Sequence, residues 1–251
     1  MTAFDLTLGS LPNVGENYLY KVTGDISDEN SIRSCMEQAQ ERFRPIDILV
    51  VIADITDEYP TYPIRNLPVE ILDKNYRTNI RGTLLTIKHF LRGAKIAQES
   101  EQEGDELDNM AIVVVGSDNS TKDTEASYSD YISGKTGLQY GLLVQGLKNE
   151  IFQLNEKARV NAVAPGPGNV GRAAAFLASH RTAGHINGQC TYIKDGTEDC
   201  LTWKENGEVK TFDLSMPSSL QAMPRPQRNK IRVAVSIDLD AVSGWLGTGM
   251  Y

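Results

Sequence analysis

The sequence has too few basic residues and too few long apolar runs for several classes of protein. Its 25 lysines and arginines stand against 33 aspartates and glutamates, a formal net charge of -8, whereas a nucleic-acid binder usually carries a basic stripe. No apolar run approaches the ~18 residues that span a bilayer, and residues 1–10 lack the pattern of a secretory signal. We therefore expect a cytoplasmic protein that binds neither nucleic acid nor a membrane.

Cysteine and histidine, the usual ligands of zinc, are also scarce. The three cysteines, Cys35, Cys190 and Cys200, are odd in number and scattered along the chain. The three histidines show no ligand spacing either, and a zinc site needs several such ligands close together. The sequence predicts free or buried thiols in a reducing compartment and no metal site.

What the sequence does contain is an alternation of apolar strands and amphipathic helices. Apolar runs predict five strands, at 18–22, 48–52, 111–115, 159–163 and 189–193. Helical spacing predicts helices after a Ser27 cap, over 69–97, over 128–155 and over 172–180. This order predicts an α/β fold with a truncated, Rossmann-like, doubly wound and mostly parallel sheet of about five strands.

One helical pair suggests chemistry. Tyr131 and Lys135 are four residues apart, so they share one face of the predicted helix. A free tyrosine has a pKa near 10, and a neighbouring cation lowers it towards the range that acid/base catalysis uses. With ten tyrosines in the chain, however, the spacing also fits chance and a solvated helix surface.

Other motifs stand around this pair in a defined order, from about Leu19 to Gly196. They are Asp25-Ile26, Asn79-Ile80-Arg81-Gly82, Ser117 and Asn161-Ala162-Val163-Ala164-Pro165-Gly166. In this order the chain resembles the short-chain dehydrogenase/reductase family, and it looks most similar to fungal members of secondary metabolism. The resemblance implies hydride transfer between NAD(P)(H) and a carbonyl or alcohol of a small molecule.

The resemblance also implies a role for each of these residues. For the catalytic group it implies that Tyr131 is the acid/base, that Lys135 lowers its pKa, that Ser117 orients the substrate oxygen and that Asn79 holds a relay water. For the NAD(P) site it implies contacts from Asp25, Ile26, Ala53, Tyr131, Lys135, Pro165 and Gly166.

The sequence departs from the family at its start. The family opens with a strand and a glycine-rich turn that holds the cofactor pyrophosphate, and residues 1–17 are too short for strand, turn and helix. The residue that chooses between NAD and NADP goes missing with this unit. The loss predicts a five-strand remnant in which strands 18–22 and 48–52 pair directly or leave an exposed gap. Such an edge favours a homo-oligomer.

A second departure follows the strand at 48–52. Where the family has an Asn-Ala-Gly turn, the chain reads Ile52-Ala53-Asp54. An aspartate there places a negative charge beside the expected cofactor phosphates. Ser117 also stands one residue further from Tyr131 than the family pattern leads us to expect.

A competing motif, Gly166-Pro167-Gly168-Asn169-Val170-Gly171, matches G-x-G-x-x-G between a strand and a helix. It fits a relocated dinucleotide site, but Pro167 removes a donor N–H. A junction left by a deletion is the alternative that we favour.

The last fifty residues differ in composition from the rest. We predict an incomplete family domain over 1–200, a linker over 201–230 and a truncated extension with one strand over 231–251. The extension resembles the opening strand of fungal polysaccharide-deacetylase-like proteins, yet the chain stops before any histidine ligands. Two hypotheses for the whole chain stay open: an NAD(P)-dependent oxidoreductase, or a catalytically inactive remnant that acts as a binding or oligomerisation partner.

Overall fold

The fold is taken from a computed structural model of the chain. The structure describes residues 1–6, 19–43, 45–55, 62–100, 107, 109–117, 128–138, 146–165, 170–193, 200–214 and 233–236, the last four as backbone.

The described residues form one sheet of nine strands. The strands are β1 (Thr2–Asp5), β2 (Tyr20–Thr23), β3 (Ile48–Val51), β4 (Ala111–Val115), β5 (Arg159–Ala164), β6 (Cys190–Ile193), β7 (Cys200–Glu205), β8 (Glu208–Asp213) and β9 (Val233–Ser236). Their order across the sheet is β2-β1-β9-β3-β4-β5-β6-β7-β8. In this spatial order, all neighbouring strands from β2 across to β6 are parallel. Strand β7 is antiparallel to both of its neighbours, β6 and β8.

Helices connect the parallel strands. They are α1 (Glu29–Phe43), α2 (Val69–Asn75), α3 (Thr83–Glu99), α4 (Ser129–Thr136), α5 (Lys148–Leu154), α6 (Val170–Ala178) and α7 (His180–Ala183), with a short 3-10 turn at Ile64–Asn66 and a π-helical segment at Tyr76–Gly82. No helix in the described ranges has the length and apolarity that a membrane crossing needs.

Both faces of the central strands are buried, which explains their continuous apolar runs. Leu49 on β3 packs into the core on one face, together with Ile32 of α1 and Phe90 of α3. Val50, the next residue on β3, packs with Leu177 of α6 on the other face. Successive residues of a strand point to opposite faces, so a strand with helices on both sides has to be apolar throughout. The predicted α/β, doubly wound and mostly parallel class is confirmed.

The predicted number of strands is wrong. A strand forms at Thr2–Asp5, within residues that we judged too short for a strand, turn and helix, and it pairs in parallel with β2. Strands β1 and β9 fill the space between β2 and β3, so these two strands neither pair directly nor leave a gap. The reason we gave for a homo-oligomer therefore no longer holds, and self-association stays a prediction.

Residues 200–213, most of which we predicted to be linker, form the β7–β8 hairpin that extends the sheet beyond β6. The turn is Asn206-Gly207, with φ of 51° and 82°, and this dipeptide is the strongest short-range signal for a hairpin. Phe212 stacks on Phe176 of α6 with ring centroids 4.2 Å apart. The strands on both sides of the predicted boundaries at 200 and 230 thus belong to one sheet.

Two helix predictions also need correction. Asp28, rather than Ser27, caps α1, since its carboxylate accepts hydrogen bonds from the backbone N–H groups of Asn30 and Ser31. The single helix predicted over 69–97 is divided by the π-helical segment Tyr76–Gly82. Over the helix predicted at 128–155, the structure describes α4 and α5, while 139–145 lie outside the described residues.

Candidate active site

The carboxyl edge of the sheet collects most of the predicted site residues. Because β1 to β5 and β9 run parallel, the residues that follow them meet at one edge, where doubly wound sheets bind their ligands. Each of these strands but β9 is followed or ended there by a residue of interest: Asp5 on β1, Asp25 after β2, Ala53 and Asp54 after β3, Ser117 after β4 and Pro165 after β5.

Tyr131 and Lys135 come together with a third residue. The Tyr131 hydroxyl donates a hydrogen bond of 2.7 Å to Oδ2 of Asp54, and Nζ of Lys135 lies 3.4 Å from the same oxygen. Lys135 is 1% exposed and Tyr131 8%. The sequence placed the phenol and the ammonium on one helix face, and the structure adds a carboxylate between them.

The Asp54 carboxylate and the Lys135 ammonium have opposite effects on a neighbouring tyrosine hydroxyl. A neighbouring cation favours the phenolate form of a tyrosine, and a neighbouring anion that accepts its hydrogen favours the neutral phenol. The Lys135 ammonium also reaches the Val115 carbonyl at 3.5 Å, which holds α4 against the end of β4. Oδ1 of Asp54 is buried and has no hydrogen-bond partner within the described part of the chain. Asp54 is therefore placed to compete with a ligand for the side chains of both Tyr131 and Lys135.

Asn79 lies in the π-helical segment and connects it to the strand ends. Its Oδ1 accepts a hydrogen bond of 3.0 Å from the backbone N–H of Ile55, and its Nδ2 donates one of 2.6 Å to Asn75. The Asn75 side chain in turn donates to Asp130, the residue before Tyr131, at 3.1 Å. Helical π-bulges are frequent at functional sites, and here the chain of amides fixes α4 relative to the loop after β3.

Ser117 is buried at 7% exposure, two residues beyond the end of β4. The N–H of the preceding Gly116 donates to the Val163 carbonyl at 2.8 Å, so the ladder to β5 extends to the foot of the loop. Ser117 therefore lies at the carboxyl edge of the sheet.

The Asp25-Ile26 pair is fixed at the end of β2. The Asp25 carboxylate accepts a hydrogen bond of 2.7 Å from the Ser27 N–H. Ile26 is buried, and a Cβ placed on Gly82 would come within 2.8 Å of its carbonyl oxygen. The loop after β2 thus packs directly against the π-helical segment, which is possible because residue 82 is a glycine.

Ala53 and Pro165 are half-buried at the same edge, after β3 and β5. Gly166, together with the greater part of the competing glycine motif at 166–171, lies outside the described residues. So do residues 237–251 of the extension that resembles deacetylase-like proteins.

Asp5 is a residue at this edge that the sequence alone does not reveal. This residue ends β1, and β1 is the second strand from the β2 edge. Its carbonyl accepts a hydrogen bond of 2.8 Å from the Gly24 N–H. The sequence signal is weak because only four residues, 1–4, precede it, and so short a run does not distinguish a strand from a disordered terminus.

The thiols take no part in this site. Burial raises the pKa of both Cys35 and Cys190 to about 12, so these thiols are protonated and unreactive at neutral pH. All three cysteines are free, as predicted.

A sequence model described as short chain dehydrogenase matches residues 6–178. The chain belongs to this family. The matched span contains Tyr131, Lys135, Asn79 and Ser117, whereas β6 to β9 lie beyond it.

The chain matches curated relatives over only part of their length. An uncharacterized oxidoreductase of Bacillus subtilis (strain 168) is 31% identical over 147 residues, which are 58% of this chain and 44% of that protein. The cis-4-hydroxycyclohexanecarboxylate dehydrogenase of Sinomonas cyclohexanicum is 30% identical over 62% of this chain and 56% of its own length. The chain thus matches about half the length of these relatives.

Solved structures agree on the fold. A 3-ketoacyl-ACP reductase from Sinorhizobium meliloti 1021 superposes with a TM-score of 0.62 at 25% identity, over 76% of this chain and 86% of that one. The NADH-dependent reductase A1-R′ complexed with NAD gives a TM-score of 0.62 at 18% identity, over 78% and 95%. At this identity the second comparison supports the Rossmann-like architecture alone.

Proposed function

We propose that this protein is an NAD(H)-dependent oxidoreductase that interconverts a carbonyl and an alcohol on a small molecule. The observation that carries the proposal is the buried pair of the Tyr131 hydroxyl and the Lys135 ammonium, which meet at one oxygen at the carboxyl edge of the sheet. A phenol beside a fixed cation can give a proton to, or take one from, a substrate oxygen.

The adenosine end of the cofactor site fits the residues present. In doubly wound sheets an acidic residue at the end of the second strand accepts hydrogen bonds from the ribose hydroxyl groups of NAD. Asp5 ends β1, which occupies that position, and Asp25 follows the neighbouring strand. A carboxylate there repels the extra phosphate of NADP, so we expect NADH to bind more tightly than NADPH.

At the other end of the site, Lys135 would bind the nicotinamide ribose and Tyr131 would face the substrate oxygen, with Ser117 orienting it and Asn79 supporting a relay water. The nicotinamide, when bound, supplies or accepts the hydride. The protein holds the proton at the Tyr131 hydroxyl, and Asp54 must release that hydroxyl before a substrate oxygen can replace it.

The substrate class rests on similarity. One relative is named for a hydroxycyclohexanecarboxylate substrate and a structural neighbour for a 3-ketoacyl substrate, so an alcohol or ketone on a small organic acid is the first class to screen. A role in fungal secondary metabolism, in the cytoplasm, remains part of the proposal.

Calorimetric titration with NADH and NADPH tests the proposal. We expect saturable binding of NADH, at least ten-fold tighter than that of NADPH. Asp5→Asn should reduce this preference several-fold, because it removes the charge that repels the 2′-phosphate. Asp213→Asn on β8 changes the net charge equally at the far edge of the sheet and should leave the preference unchanged. If neither cofactor binds at millimolar concentration, the proposal is wrong.

The catalytically inactive remnant remains a second candidate, because Asp54 occupies both Tyr131 and Lys135. Parallel NADH titrations of the native chain and of Asp54→Gly separate the two. If only the glycine variant binds, the native site is blocked and the remnant hypothesis is favoured. Binding by the native chain, with turnover of any ketone, excludes it.

A further inference from the structure

The C-terminal strand β9 lies in the middle of the sheet rather than beside it. Ala234 is in register with Thr2 of β1 and with Leu49 of β3, and Ser236 is in register with Phe4 and with Val51. Both pairings are parallel. A strand from the last twenty residues therefore forms ladders with two strands from the first fifty-one.

The position of β9 is the one that doubly wound sheets give to their first strand. Such sheets have the order 3-2-1-4-5-6, and the observed order from the same edge is β2-β1-β9-β3-β4-β5. In this order, β2 occupies place three, β1 occupies place two and β3 occupies place four. Place one, which the family fills from the N-terminus, is filled by the chain's last described strand.

We propose that the C-terminal segment occupies, in cis, the place that the family gives to its N-terminal strand and completes the cofactor-binding half of the sheet. The placement of the strand does not depend on the proposed function, whereas its effect on cofactor binding does. Without β9, β1 and β3 would stand about 10 Å apart, since neighbouring strands are ~4.8 Å apart. Both would then present unpaired N–H and C=O groups along an interior edge, which folded proteins avoid.

The chain is long enough to make this connection within one molecule. Eighteen residues, 215–232, separate the described end of the β8 segment from β9. Strand β8 lies six places from β9, about 29 Å at ~4.8 Å per place. The connection must also return along one strand length of about 13 Å, whereas nineteen extended steps reach about 60 Å. A second copy of the chain is therefore not needed to supply the strand.

The consequence for the site lies at the end of β9. Ser236 is level with Val51, three residues before Asp54, and with Phe4, next to Asp5. The crevice of a doubly wound sheet opens where strand connections run in opposite directions, between places one and four. These places are β9 and β3. The glycines that follow in sequence, Gly244, Gly247 and Gly249, lie outside the described residues, and β9 alone carries the inference.

Hydrogen exchange on the native chain tests the strand directly. We expect the amides of Val233–Ser236 to exchange at least a hundred-fold more slowly than free peptide, like those of β3, because β9 is paired with a neighbouring strand on each side. If β3 is protected while Val233–Ser236 exchange like free peptide, β9 is not in the sheet and the proposal is wrong.

A cysteine pair distinguishes one chain from two. Ala3→Cys/Val235→Cys joins registered positions, whose Cα atoms should lie within disulfide reach. The control Ala3→Cys/Ala234→Cys is shifted by one residue to the other face of the sheet. We expect an intramolecular bond in the first variant, at least ten-fold faster than in the second, with peptide mapping to separate it from Cys35, Cys190 and Cys200. Equal rates in the two variants, or a bond between chains, would overturn the proposal in its cis form.

A proline variant connects the strand to the cofactor. Val235→Pro removes a ladder N–H from a central strand and should weaken NADH binding at least ten-fold, whereas Ala222→Pro, in the proline-containing linker, should not. If both variants bind like the native chain, β9 does not complete the site. If the native chain does not bind NADH while Val233–Ser236 are protected, the proposed function fails and the strand placement stands.

Discussion

The two halves of the sheet are built from the chain in different ways. Strands β3 to β6 follow one another in sequence and in space, whereas the half formed by β2, β1 and β9 combines both ends of the chain. Every residue of β4 and β5 is buried, while β1 has three buried residues of four and β2 has one. The first half, here the acid/base half, carries Tyr131 and Lys135, to which we assign acid/base chemistry. The second, here the cofactor half, carries Asp5 and Asp25, which we assign to adenosine binding. The half formed by β2, β1 and β9 has fewer buried residues and joins segments that are distant in the chain. We therefore expect it to unfold locally more easily than the other half.

The largest expected effect concerns the acid/base half. Tyr131→Phe removes the only ionisable atom of the side chain and keeps its packing, so kcat should fall by about 10²–10⁴-fold, the usual contribution of a general acid/base. NADH affinity should change little, as measured by calorimetry. The matched control is Tyr128→Phe, one turn earlier, which should retain kcat. Equal losses in the two variants would show that the acid/base half does not work as we describe it.

The next effect concerns the junction between the halves. Leu49 is fully buried on β3, which pairs with β9 on one side and β4 on the other. Leu49→Ala should lower the free energy of unfolding by about 2–5 kcal/mol, through lost transfer energy and a cavity. Urea unfolding measures this loss.

Hydrogen exchange on the same Leu49→Ala variant shows whether the halves open together. We expect β2 to lose protection before β4. The control is Leu72→Ala, at a residue that is 38% exposed, and it should cost less than about 0.5 kcal/mol. Equal loss of protection in β2 and β4 would mean that the two halves form one cooperative unit.

A smaller effect is expected at Asp54, where the two halves meet. The Lys135 ammonium is almost fully buried and its carboxylate partner only slightly exposed, with side-chain exposures of 2% and 18%. Asp54→Asn leaves this ammonium without a counter-charge, so stability should fall by about 1–3 kcal/mol. Thermal unfolding measures the change, and Glu208→Gln, in an exposed pair with Lys210, is the control. An unchanged or higher Tm for Asp54→Asn would show that the pair does not stabilise the site.

The smallest effect is a pH dependence in the cofactor half. Hydrogen bonds from Lys88 and His89 of α3 lower the pKa of Glu29 on α1 below its ordinary value of 4.5. Since the folded pKa lies below the unfolded one, Glu29 contributes stability above about pH 4.5 that is lost as the pH falls through its folded pKa. Glu29→Gln should reduce the acid-side slope of stability against pH. Glu99→Gln, in an exposed pair with Lys95, should leave it unchanged.

The strands of the acid/base half are also easier to predict from the sequence than those of the cofactor half. In the acid/base half, continuous apolar runs predicted β3, β4 and β5 to within one residue, because both faces of these strands are covered by helices. Because the carboxyl ends of parallel strands meet at one edge, Ser117 and the loop after β3 lie at that edge. Asn79 joins this loop through the hydrogen bond that it accepts from the Ile55 N–H. In the other half, β1 offered too short a run to recognise, and β9 came from a segment whose alternation predicted a strand without a partner.

By itself, the sequence determined the class of fold, the family and the shared helix face of Tyr131 and Lys135, since these depend on local periodicity and on spacing along the chain. Only the tertiary structure decided which strands are neighbours and what the side chains of Tyr131 and Lys135 touch. Strand order and the contact of Asp54 with Tyr131 join residues that are distant in the chain, and no local pattern records such pairings. A sheet needs a strand in each place, but the chain can supply that strand from either end.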